Sequence, residues 1–214
     1  MKPTMIVAGL TACITGAAQA SFVQVRITGE VEFAGGPLSS QMSPGDPVSI
    51  SFLLDSSNFV DGVMFPTRGY EIVQSSFIMT TGPTDWGLQN PYVGVPYFIL
   101  RDNDPAVDGF LFGSDPDVGF PNGVALDQLG IFEQFRANYA TTYGGDTLSS
   151  LDIRDAVGTY DFDGLTVFSF GILDGPADAA GFVFEQMTIS IVPAPAAFAL
   201  LAPIGLAARR RRRS

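Results

Sequence analysis

The chain has 214 residues, 22 of them acidic and 11 basic, and a formal net charge of −11 at pH 7 with no histidine at all. Lys2 and Arg209 to Arg213 sit at the two ends, so the stretch from Ser21 to Ala208 holds five arginines against all 22 acidic residues, a net −17, and no Lys, His or Cys. Such a field repels nucleic acid and anionic lipid. The missing residue types exclude imidazole triads and zinc sites, lysine Schiff bases, and thiolate or iron–sulfur chemistry.

The N-terminus reads as an export signal over residues 1–20. Lys2 gives a small positive start, Met5 to Ala18 is apolar and small, and Ala18-Gln19-Ala20 forms an A-x-A cleavage site before Ser21. Signal peptidase is the partner this implies. A rival reading takes Leu10-Thr11-Ala12-Cys13 as a lipobox, with Cys13 lipidated; the complete A-x-A site downstream favours the first.

Residues 21–191 read as one domain. From Val23 to Phe33 the odd positions are Val23, Val25, Ile27, Gly29, Val31 and Phe33, and the even ones are polar or charged. That alternation puts one face on a core and one in water. Val48, Ile50, Phe52 and Leu54 repeat it after the Pro44-Gly45-Asp46-Pro47 turn. Further strands are expected at Tyr70–Thr80, Val95–Arg101, Gly109–Phe112, Gly123–Phe132, Leu165–Leu173 and Phe182–Ile191, the last with Val183, Met187, Ile189 and Ile191 on one face. A short helix or two is expected within Asp146–Val157. Many short strands between Gly- and Pro-rich connectors predict an all-β fold, an antiparallel β-sandwich of jelly-roll-like form. With no cysteine in the body, an ordinary core must hold it together.

Carboxylates are the chemistry that survives. The densest group is Asp102-Asn103-Asp104 with Asp108, followed by Asp115 and Asp117. Alternate carboxylates on a loop suit Ca²⁺, which takes six to eight oxygens, and make Asp102, Asp104 and Asp108 the candidate ligands. The spacing departs from an EF-hand: Val107 stands where the tight-turn glycine belongs and Gly113 where the bidentate Glu belongs. Asp161-Phe162-Asp163-Gly164 is a weaker second group. Against both stands a simpler reading, Asp in solvated turns bonding its own backbone. Trp86, Tyr92 and Tyr97 lie in a Gly/Pro-rich stretch where exposed rings could stack on sugars, although aromatics more often close a core.

The tail over residues 192–214 has three parts: Val192-Pro193-Ala194-Pro195-Ala196, an apolar run from Ala196 to Ala208, and Arg209, Arg210, Arg211, Arg212 and Arg213 before Ser214. The arginines resist translocation and stay cytoplasmic, leaving the body outside. As a helix the apolar run rises only ~20 Å, against a hydrocarbon core of ~30 Å, and Pro203 interrupts it. It is a short membrane helix suited to temporary anchoring. This order resembles the PEP-CTERM sorting signal in its Val-Pro-x-Pro-Ala variants, with Val192, Pro193, Pro195 and Ala196 as the motif. The resemblance implies an exosortase that cuts near the prolines and releases the body from transient residence in the inner membrane. Ala194 stands where the family usually has Glu. The Gly45-Asp46-Pro47-Val48 turn with Asp55 is loosely similar to bodies of that family and implies no activity.

These readings lead to an exported, non-catalytic protein of the cell surface or exopolysaccharide matrix, without cofactor unless Ca²⁺ binds, and with extracellular polysaccharide as the partner class to test. Two alternatives stay open: a carboxylate-dependent glycan-binding or glycan-active protein, and a permanently membrane-anchored envelope protein.

Overall fold

The alternation that starts at Val23 produces the central strand. In the computed structural model, which describes residues 22–103, 107–117, 122–127, 135–175 and 177–192, β1 (Phe22–Ala34) buries Val23, Val25, Ile27 and Val31 and turns Gln24, Arg26 and Glu30 to solvent. Both its edges are paired. One carries β2 (Pro47–Asp61), from Glu30↔Pro47 to Phe22↔Asp55, and the other carries β12 (Ala177–Val192), from Ala34↔Ala180 to Phe22↔Val192.

Five more strands complete a ring. From β2 it passes through β3 (Thr67–Ile72), β6 (Tyr97–Arg101), β7 (Val107–Gly113), β9 (Phe135–Gly144) and β11 (Leu165–Asp174) to β12, and β12 returns to β1. Every pairing is antiparallel. The remaining strands are short and lie off the ring: the hairpin of β4 (Ile78–Thr81) and β5 (Thr84–Trp86) on β2, β8 (Val124–Ala125) on β9, and β10 (Gly158–Tyr160) on β12. The expected all-β antiparallel body is therefore present. Its pairing closes one sheet on itself in an eight-stranded barrel, where a jelly-roll-like sandwich would keep two sheets. Alternation reports which face a side chain takes and is the same in both architectures; closure depends on which strands pair.

Tracing level positions from Phe22 through Asp55 and onward to Ile172, Ala180 and Ala34 gives a stagger of about twelve residues round the ring. Eight strands with that stagger tilt at about 45° and enclose a space that side chains fill or that one small ligand occupies. Here side chains fill it. Phe52 meets Phe98 and Phe112 at centroid distances of 5.5 Å, and Tyr139 meets Phe170 and Phe184 at 5.6 and 5.9 Å. The Tyr139 hydroxyl lies 3.5 Å from the Met187 sulfur.

Several expectations change in detail. Tyr70–Thr80 is split by a 3₁₀ turn at Gln74–Ser76, so β3 goes to the ring and β4 to the outer hairpin. Gly123–Phe132 is strand only at Val124–Ala125 among the described residues. Residues 146–157 form turns with no helix. A register shift between Thr28 and Gly29 puts an extra residue in β12, so Phe182 and Phe184 point inward before it and Met187 and Ile189 after it, which leaves Val183 exposed; Ile191, of the same parity as Met187 and Ile189, is exposed at the strand's end. A second shift, between Val31 and Phe33, turns Phe33 outward to 43% exposure, with its ring over Gly181. No helix among the described residues is long and apolar enough to cross a membrane; the expected tail helix lies outside them.

Candidate functional site

One end of the barrel gathers both chain ends and most of the acidic loops. Phe22 is level with Val192 on one side and Asp55 on the other, so the start and the finish of the body leave from the same pole. Val192, the first residue of the expected sorting motif, is half-buried in the last pair of β12. Pro193, Pro195, Ala196 and Arg209 to Arg213 lie outside the described residues, as do Ala18, Ala20 and Asp104.

Residues 145–157 seal this pole. Leu148, Ile153 and Ala156 are buried in the common core, and two side chains of the barrel wall hold the segment's backbone. The Tyr70 hydroxyl accepts from the Ile153 N–H at 3.0 Å and donates to the Leu151 carbonyl at 2.9 Å. Burial pushes its pKa up, so the donor persists at neutral pH. Asp108, at 0% exposure, accepts from the Asn103 N–H at 2.8 Å with Oδ1 and from the Leu148 N–H at 2.6 Å with Oδ2.

That bonding bears on the proposed calcium ligands. Arg101 pairs with Gly109, so Asp102 follows directly beside Asp108, and the two carboxylates do come together. Partial burial raises the Asp102 pKa, and the nearby Asp108 charge adds to the rise. Both oxygens of Asp108, however, are committed to backbone N–H groups. As a Ca²⁺ ligand it would have to share or release the donors that anchor residues 103 and 148. Among the described residues no group of three acidic side chains is arranged to hold a metal.

Elsewhere the aspartates behave as turn residues. Asp55, Asp115, Asp152 and Asp161 each accept from the backbone N–H two residues on, at Ser57, Asp117, Arg154 and Asp163. Two arginines are tied to neighbours, Arg68 to Asp61 and Arg154 to Asp152. Arg136 donates to the Gly123 carbonyl at 2.7 Å.

Two clefts open on the surface, the first of them at this pole. One, of about 400 Å³, is lined by Tyr143, Thr147, Gly158, Thr159, Tyr160, Asp161 and Asp163. Its phenols are engaged: Tyr143 donates to the Asp161 carbonyl at 3.1 Å and Tyr160 to the Ala156 carbonyl at 2.8 Å. Burial pushes both up to about 12, which rules them out as bases near neutral pH. The other, of about 510 Å³, lies between Phe22, Asp55, Asn58, Glu71 and Ile72. The Glu71 carboxylate there accepts from Asn58 Nδ2 at 2.7 Å.

Of the three aromatics set aside for sugar stacking, Trp86 is core, its indole N–H donating to Thr81 Oγ1 at 2.9 Å. Tyr92 packs against the core and accepts from the Ala125 N–H at 3.1 Å. Tyr97 is half-buried. Sequence reasoning missed the roles of Tyr70 and Asp108 as clamps on the sealing segment. The available signal was a polar residue at an inward position of a strand: Asp108 shares a face with Phe110 and Phe112.

Compared with known proteins, the chain matches no family model, no curated protein and no solved structure.

Proposed function

We propose that this is an exported, non-catalytic protein of the cell surface or exopolysaccharide matrix, carried to the outer face of the inner membrane and cut there by an exosortase. The observation that carries the reading is the order of the tail, Val192-Pro193-Ala194-Pro195-Ala196, an apolar run and five arginines, starting where β12 ends. No linker intervenes between sheet and motif, so a membrane enzyme would meet the motif at the edge of a folded body. The filled barrel interior supports a non-catalytic role, as does the use of buried Asp108 to hold backbone. The test is processing: a host with an exosortase should shorten the exported chain near the prolines, and a matched strain without the enzyme should not.

A second reading, glycan binding, is favoured by the cleft of Tyr143, Tyr160, Asp161 and Asp163, which joins ring edges to carboxylates. A polysaccharide pull-down that weakens on Asp161→Ala with Asp163→Ala would support it.

A further inference from the structure

The hairpin joining β2 to β3 presents apolar side chains to solvent on a stiff support. Val63 is 90% and Met64 77% exposed, and Phe59 and Val60 just before them are exposed too. Isolated apolar residues on a surface are ordinary; here the backbone is built to hold them out. Asp117 accepts from the N–H groups of both Val63 and Met64 with one oxygen, at 2.6 and 2.8 Å. Thr67 Oγ1 donates to the Pro116 carbonyl at 2.7 Å, and the Gly62 N–H donates to the Thr67 carbonyl at 2.9 Å. Arg68 neutralises Asp61 at the hairpin's base and stacks on Phe59 at 4.0 Å, so the tip carries no net charge of its own.

Position gives the tip a partner. Phe22 levels Val192 with Asp55, and β2 continues past Asp55 to Asp61 before it turns. Measured on β3, where Leu54 is level with Ile72 and Asp61 with Arg68, that continuation rises at most ~13 Å at ~3.3 Å per residue, because the irregularity between Leu54 and Phe59 takes up three residues. The apolar run of the tail begins at Ala196, so a taut chain from Val192 spans at most ~14 Å. Resting on the reading of the tail as membrane-inserted, we infer that Val63 and Met64 enter the lipid surface while the tail is anchored. The tip acts as a second contact that fixes the body's tilt and the height of the Pro193–Pro195 segment above the bilayer. Burial of two apolar side chains at an interface adds to tail binding without replacing it. The acidic loops elsewhere on the pole oppose flat approach to an anionic surface, so the contact is strongest on neutral lipid.

The mature chain has no cysteine, so Met64→Cys introduces a single labelling site. The mature chain from Ser21 to Ser214, labelled there with an environment-sensitive dye and bound to phosphatidylcholine vesicles, should show blue-shifted emission, quenched by nitroxide lipid. Val63→Cys should behave alike. Val93→Cys is the control: Val93 is 82% exposed and precedes Tyr97, at the opposite end of β6 from Arg101, which pairs with Thr67 of the hairpin. Its dye should stay water-like. Chain that floats with the vesicles while the Met64 and Val63 dyes match the Val93 control overturns the hairpin contact alone. Chain that does not float at all overturns the membrane reading of the tail, and this inference with it.

Discussion

Phe22 and Val192 are partners across β1 and β12, at the end where both strands meet the segments expected to engage the membrane. The body is thus closed by its own two ends. A mature chain cut at Val192 keeps every pair of β12, and its melting temperature should match that of the chain ending at Ser214. A chain ending at Thr188 loses buried Ile189 and the partners of Phe22 to Val25. At about 2–5 kcal/mol for such a core loss, thermal melting should fall by roughly 5–15 °C. Equal stability of the two truncations would show that the strand end adds nothing to the barrel.

Asp108 should matter for stability. In Asp108→Asn the amide oxygen can serve one backbone N–H, and the NH₂ then faces the other, leaving a buried donor unmet at about 1–3 kcal/mol. Denaturant unfolding should show that loss, and hydrogen exchange at Leu148 should quicken, since Asp108 Oδ2 holds its N–H. Unchanged protection at Leu148 would remove Asp108 from the role of clamp.

Asp102 should act in the opposite sense. Its pKa is raised above the ordinary 3.8 in the folded protein, chiefly by burial and then by Asp108. As pH rises past that value the unfolded chain gives up its proton first, so folding loses stability until the folded carboxyl has also titrated. Asp102→Asn abolishes this loss. The melting temperature of the variant relative to the parent should climb between pH 3.5 and 6 at fixed ionic strength; a flat or falling difference would contradict the assignment.

On β1, Ile27→Asp should prevent folding, since it sets a charge inside the barrel where Ile27 is fully buried. Gln24→Asp, outward on the same strand, should leave the circular dichroism spectrum unchanged. Equal sensitivity at both positions would mean that the two faces of the strand are not distinct.

Much of this fold was legible in the sequence, and the failures have physical causes. Val23 to Val31 and Val48 to Leu54 read correctly because their inward residues are strongly apolar and their outward ones polar. β9 was missed because two of its buried positions are Ala137 and Thr141, which a hydrophobic alternation does not register, although Phe135, Tyr139 and Tyr143 keep the period. Phe182 and Phe184 were misplaced because one extra residue in β12 reverses the faces on either side of it, and nothing local marks it. The strands approach closely at the slip, where a Cβ on Gly29 would lie 2.2 Å from the Val183 carbonyl oxygen. Ring closure was not legible, because it rests on the pairing of β1 with both β2 and β12 across nearly the whole chain. The aspartate clusters were visible as clusters, but the number of their oxygens bound to backbone N–H could only come from the fold.

The most direct test of the account is the intact mass of the exported protein from a host that has an exosortase. The account predicts a chain that begins at Ser21 and ends between Val192 and Ala196. A mature species that still contains Arg209 to Arg213 would contradict it and leave a permanently anchored envelope protein.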